Sequence, residues 1–175
     1  AQNLNSHAAP EINAADTRIP VEGRLNNRGL IAGQHTLLQA QHIDNRGGQA
    51  KIYGDNLAIS AITLNNDTEN GQAGTIAARR QLNLGVKNLT NREQALIFSE
   101  GNLNIGGRLN ADYQAEGWAD SVQNNSATIE AGDDLHIAAG TLHNTNEHFK
   151  TELVETGREH IVEYRAHGRT ERNRE

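Results

Sequence analysis

Residue types able to do chemistry are few in this chain and lie far apart. The best carboxylate pair is Gly132-Asp133-Asp134, which could hold a divalent metal of the kind used in phosphoryl transfer. The same slot reads Gly54-Asp55-Asn56 and Gly101-Asn102 elsewhere, so acidity varies while the glycine turn persists. A repeated corner explains that pattern better than a reaction does. Eight histidines invite a metal reading, yet no pair has the HExxH spacing, and His35, His42, His136 and His143 fall at different phases of a repeat. No GxSxG nucleophile turn, phosphate loop or dinucleotide fingerprint occurs. With no cysteine there is no thiolate nucleophile, disulfide or cysteine metal site. The expectation is a non-enzyme with no catalytic, cofactor-binding or metal-binding residue and no cofactor. Trp118 is the single candidate contact residue, and its competing role is a plug that packs an excursion of the chain onto the body. Asn66-Asp67-Thr68, Asn88-Leu89-Thr90 and Asn124-Asn125-Ser126 match the glycosylation acceptor pattern, but 21 asparagines in 175 residues produce such matches by chance.

Composition narrows the elements that could position any site. Only 35% of the chain is hydrophobic and 3% aromatic, and Leu, Ile, Val and Phe together make up about a fifth, near the floor for a folded chain. A thick enzyme core is not expected. The net charge of -6 argues against a phosphate-binding surface, so nucleic acid is excluded as a partner. Methionine is absent and no long apolar run offers a signal peptide or membrane span, so the segment reads as an internal piece of a longer chain.

Repetition organises the sequence. An aliphatic residue, a spacer and Asn recur at Leu25 to Asn27, Ile43 to Asn45, Leu64 to Asn66, Leu89 to Asn91 and Leu142 to Asn144, and Arg follows Asn at 28, 46 and 92. Leu109 opens a further copy in which Ala111 replaces Asn. A second unit places alternating aliphatics after a polar turn, as in Leu57/Ile59, Leu82/Leu84, Leu103/Ile105 and Leu135/Ile137, with Gln34-His35-Thr36-Leu37 a looser first copy. A third short step is Leu30-Ile31-Ala32, Ala50-Lys51-Ile52, Thr75-Ile76-Ala77, Leu96-Ile97-Phe98 and Thr128-Ile129-Glu130. Period-2 alternation is the mark of strands with one buried face, and three short strands per repeat, joined by Gly/Asn corners, wind into a coil. Stacked coils bury Leu on Leu and Ile on Ile in a narrow core that needs little aromatic bulk. Asn at one corner of every coil can form a side-chain ladder or take up left-handed backbone.

The fold expected is all-β, a right-handed parallel β-helix (solenoid) of about five to six coils with a charged C-terminal extension. Residues 1–22, which hold Pro10 and Pro20, form an extended lead-in or partial coil; residues 23–146 form the repeats; residues 147–175 form a charged tail. Two insertions interrupt the coils, one at Asp67 to Gly74 around the turn pair Asn70-Gly71 and one at Asp112 to Asn125 around Trp118. Alternation from Phe149 to Leu153, then Gly157, then His160 to Tyr164 suggests a hairpin cap, with helix or disorder open as alternatives, and disorder is expected from Gly168 onward.

Over residues 23 to 146 the Leu-x-Asn units, Gly or Ala corners and Gly-Asp-x-Leu-x-Ile units resemble the haemagglutinin repeats of filamentous haemagglutinin-type exoproteins. The segment Arg158 to Tyr164 resembles the stretch that comes after such repeats in that group. These are passengers of bacterial two-partner secretion, among them adhesins and the stalks of contact-dependent growth-inhibition toxins. The resemblance implies a secreted filament on the surface of a Gram-negative cell, with an outer-membrane two-partner secretion transporter and a host or neighbouring-cell receptor or glycan as partners. The function expected is therefore structural and binding, in adhesion or as a stalk presenting a toxin. The alternative is a polysaccharide-acting β-helical lyase or esterase, which would need Asp with Lys or Arg in one column on consecutive coils.

Overall fold

The computed structural model describes residues 1–6 and 10–157. Among them there is no helix, and sixteen strands succeed one another. The first coils are built from β1 (Asn3–Asn5), β2 (Glu11–Pro20), β3 (Arg24–Asn27), β4 (Leu30–Gln39) and β5 (His42–Arg46). Two long strands that bend around corners, β6 (Lys51–Glu69) and β8 (Thr75–Arg92), flank the short β7 (Gln72–Ala73). Then come β9 (Leu96–Ser99), β10 (Asn102–Gly106), β11 (Arg108–Leu109) and β12 (Ala115–Glu116). The last coils hold β13 (Ala119–Asn125), β14 (Thr128–Ala131), β15 (Leu135–Ile137) and β16 (Ala139–Thr145). Every pairing between coils is parallel, which makes a β-solenoid of about seven turns.

The coil has three faces, and their inward residues form four columns. On the asparagine face the column is Leu4, Leu25, Ile43, Leu64, Leu89, Val122 and Leu142. On the isoleucine face it is Ile12, Ile31, Ile52, Ile76, Ile97 and Ile129. The leucine face carries two columns, Thr17, Thr36, Leu57, Leu82, Leu103, Leu135 and Ile19, Leu38, Ile59, Leu84, Ile105, Ile137. In mid-solenoid these side chains are fully buried, but the last coil lies open, with Leu135 47% and Leu142 54% exposed. Thr17 and Thr36 occupy leucine slots because their hydroxyls donate to the carbonyls of Ala32 (2.7 Å) and Tyr53 (2.9 Å), so neither hydroxyl is buried without a partner.

The asparagines form a ladder of one polarity. Ser6 Oγ donates to Asn27 Oδ1 at 2.8 Å, and each Nδ2 then donates to the next Oδ1: Asn27 to Asn45 (2.8 Å), Asn45 to Asn66 (2.8 Å), Asn66 to Asn91 (3.0 Å), Asn91 to Asn124 (2.9 Å) and Asn124 to Asn144 (2.9 Å). The second amide proton of the inner members goes to a corner carbonyl, such as Leu96 for Asn66 at 2.9 Å and Thr128 for Asn91 at 2.8 Å. None of these asparagines has positive φ. The positive-φ corner residues are instead Gly47, Glu93, Gln94 and Ser126, downstream of the ladder asparagines, so the ladder, not backbone freedom, accounts for Asn at this position. Outside it runs a chain of alternating charges that explains the Asn-Arg pairs. Glu69, Arg28, Asp44, Arg46, Asp67, Arg92 and Glu93 are joined successively by contacts of 3.0 to 3.9 Å, and His148 Nε2 lies 2.9 Å from Glu93 Oε2.

Three expectations need correction. The coil count is about seven because Asn3–Asn5 and Glu11–Pro20 pair in register with the coil above them and a further rung lies in the 119–125 segment. That rung is Val122-Gln123-Asn124, whereas Leu109 sits in a hairpin off the coil, so the long repeat runs from Leu89 to Val122. The second insertion accordingly spans 107–118 rather than Asp112 to Asn125. The first insertion holds its expected turn pair in a hairpin: Thr68 pairs with Ala73 and Glu69 with Gln72 around Asn70 (φ 52) and Gly71 (φ 74). No strand forms in residues 147–157, where Leu153 is 99% exposed. The returning arm of the hairpin expected there, His160 to Tyr164, and the disorder expected from Gly168 lie outside the described residues.

Candidate functional site: a groove roofed by the 107–118 hairpin

The hairpin leaves the coil at Gly107 and folds back across the outer surface of the leucine face. Its two strands pair Arg108 with Glu116 and Leu109 with Ala115, and Arg108 Nε meets Glu116 Oε1 at 2.8 Å. Its backbone rests directly on the sheet, which only glycine permits: a Cβ at Gly85 would collide with the Arg108–Leu109 peptide, and one at Gly106 would lie 2.8 Å from the Glu116 carbonyl. Asn83 Oδ1 accepts from the Ala115 amide at 3.0 Å and pins the returning strand. At the tip, Asn110 Oδ1 accepts from the amides of Asp112 (2.9 Å) and Gln114 (3.0 Å), which closes a tight turn and presents Tyr113 at φ 60.

Tyr113 thereby reaches over β8, β6 and β4 to β2. The Arg18 guanidinium lies 5.7 Å from its ring centroid, and Arg18 Nη1 donates to its hydroxyl at 3.5 Å. Between tip and sheet is a cavity of about 430 Å³. One wall is an outward column of hydrogen-bonding side chains on successive coils, Asp16, His35, Asn56 and Gln81. His35 Nδ1 and Asn56 Nδ2 are 3.3 Å apart. Beside that column runs Arg18, Leu37, Ala58 and Asn83, apolar in its middle. Asp112 and Tyr113 close the groove from above. Donors, acceptors, an aromatic ring and an apolar strip therefore converge on one concave surface, which suits it to hold a polar, non-planar ligand.

The residues singled out from sequence lie elsewhere. Trp118 stands at the hairpin base with 69% of its surface exposed; it does not act as a plug and does not line the groove. Gly132-Asp133-Asp134 stacks on the coil below, where the Asp134 amide donates to Asn102 Oδ1 at 3.1 Å, as a repeated corner does. His42 pairs with Thr63 at 2.8 Å, while His136 and His143 stand beside Asn104 and Gln123 on the neighbouring coils. Among the described residues no three His, Asp or Glu side chains gather as a metal-ligand set. Two of the glycosylation matches, Asn66 and Asn124, are buried ladder members whose Nδ2 groups are already committed. Sequence reasoning missed Arg18, His35, Asn56, Gln81 and Tyr113 as a group. Comparison with protein-family models, curated proteins and solved structures gave no match to this chain.

Proposed function

We propose that this chain is a structural and binding segment of a secreted bacterial β-helical exoprotein, a filament that holds an adhesive or toxic element away from the producing cell and makes surface contact. The observation that carries it is the one-way asparagine ladder with the four inward columns beside it, running along the described coils and left open at the last one. Such an architecture grows along one axis by adding coils, without changing its cross-section, as a stalk requires. The hairpin laid on its leucine face and the exposed Trp118 at the hairpin base supply surface for contact. The Leu-x-Asn and Gly-Asp-x-Leu-x-Ile units point to the haemagglutinin-repeat passengers, and through them to a two-partner secretion transporter and a receptor or glycan on the opposing cell.

The test is localisation in the producing organism. An antibody against residues 1–146 should label intact cells or the culture medium, and external protease should remove the signal. Signal confined to the cytosol would overturn the reading. Release of oligosaccharide products from polysaccharide by the purified chain would favour the lyase or esterase alternative instead.

A further inference from the structure

We propose that the groove beneath the 107–118 hairpin binds a neutral oligosaccharide laid along the solenoid axis. In choosing a saccharide among hydroxyl-rich ligands the proposal rests on the surface-contact reading above; the rest of it rests on the groove. Backbone groups on this face are consumed by parallel pairing between coils, so an extended peptide has no free strand edge to join, and a ligand must be read by side chains. Those side chains repeat with the coils. Asp16, His35, Asn56 and Gln81 stand one per rung, about 4.8 Å apart. That step is close to the advance of one pyranose unit in an extended chain, so consecutive sugars would each meet one hydrogen-bonding group. Tyr113, 39% exposed and fixed by the Asn110 turn and by Arg18, supplies a ring for the apolar face of a sugar at the groove's roof.

Charge decides between neutral and acidic chains. Of the formally charged lining groups two are carboxylates, Asp16 and Asp112, and one is a cation, Arg18, already turned toward Tyr113. A uronate or sulfated chain would place its anions against the carboxylates with a single guanidinium to offset them. The cavity of about 430 Å³ falls within the range of small-ligand sites.

The test is titration of the purified 175-residue chain, monitored by amide NMR shifts. The neutral probes are chitotetraose, cellotetraose, mannotetraose and lacto-N-neotetraose; the acidic probes are tetragalacturonate and a heparin tetrasaccharide. At least one neutral probe should shift the amides of Asn56, Gln81 and Tyr113 at millimolar concentration or below. Tyr113→Ala should weaken that probe about tenfold and Asn56→Ala about fivefold, with Tyr113→Phe within about twofold of the parent, as loss of a ring contact or of one hydrogen bond implies. Phe149→Ala, at an exposed residue outside the groove, should leave affinity unchanged, and circular dichroism must show each variant folded. No shift with any neutral probe, tighter binding of the acidic probes, or affinity indifferent to both alanine variants would overturn the proposal. Because the titration uses purified protein, its result stands apart from the localisation test, and either can fail alone.

Discussion

Asn66→Ala should be among the most damaging single substitutions of a polar residue in this chain. Asn66 has no exposed surface and makes three ladder and corner bonds: it accepts from Asn45 Nδ2 at 2.8 Å and donates to Asn91 Oδ1 at 3.0 Å and to the Leu96 carbonyl at 2.9 Å. Each such bond is worth a net ~1 kcal/mol, and a buried acceptor left without a partner adds about 1 to 3 kcal/mol. Asn45 Nδ2 keeps the carbonyls of Ala50 and Thr75, both at 3.2 Å, so the damage falls on the Asn91 side. The total is about 3 to 5 kcal/mol, which at this chain length lowers the melting temperature by roughly 6 to 20 °C. Asn144→Ala is the matched control. Asn144 is exposed and only accepts from Asn124 Nδ2, which also donates to the Ala127 carbonyl at 3.0 Å, so its loss should cost less than about 1 kcal/mol. Asn66→Asp adds a pH arm. It keeps the acceptor but replaces the donors with a buried carboxyl, whose ionisation burial opposes, so its folded-state pKa rises above the ordinary value. Stability of that variant should then fall as the pH climbs from about 4, where the unfolded chain ionises first, and level off above the folded-state pKa. Urea unfolding of the three variants, with the slopes compared to the parent, measures all of this. Equal costs at Asn66 and Asn144, or a cost below about 1 kcal/mol at Asn66, would show that ladder bonds only replace bonds to water.

Leu103→Ala should cost about 2 to 5 kcal/mol through lost burial and a cavity, while Leu135→Ala in the same column, 47% exposed, should cost far less; urea midpoints decide, and equal costs would contradict the open last coil. Gly85→Ala should push the hairpin backbone off the leucine face and part Tyr113 from Arg18, so trypsin should cut at Arg108 several times faster than in the parent; an unchanged rate would mean that the sheet yields instead. Burial raises the Tyr53 phenol above the usual tyrosine value of about 10, so the folded chain holds that proton longer than the unfolded one and stability should fall as pH rises past 10. Spectrophotometric titration against Tyr53→Phe checks it, and an ordinary titration point for Tyr53 would contradict the burial.

Much of the coil is legible in the sequence because the same residue types return at the same phase. Ile31, Ile52, Ile76, Ile97 and Ile129 can be aligned by eye, and their register is the one the sequence suggests. The fifth asparagine rung misleads because Leu109 follows Leu89 at an ordinary repeat spacing, while Val122 lies 33 residues after Leu89. The discriminating signal is Asn124: a ladder bond needs a carboxamide, which Ala111 cannot supply and Asn124 does. The first coil is hard to recognise because Ser6 and Thr17 stand where Asn and Leu are the rule, polar groups that satisfy the same geometry by other means. The groove is not legible at all. Arg18 and Tyr113 are 95 positions apart, and their meeting depends on how far a hairpin folds back over four coils, which no local pattern encodes.

The direction of the hydrogen bonds in the rungs and the asparagine ladder has a mechanical consequence. Both run along the solenoid axis, so a pull on the two ends loads the coils in series and parts them one rung at a time, as a zip opens, instead of shearing many bonds together. Each released repeat of 18 to 33 residues replaces a step of about 4.8 Å with roughly 60 to 115 Å of extended chain. The rod is therefore stiff under light load and extensible under heavy load, absorbing work in discrete increments, and the largest single increment lies in the coil that carries the 107–118 hairpin.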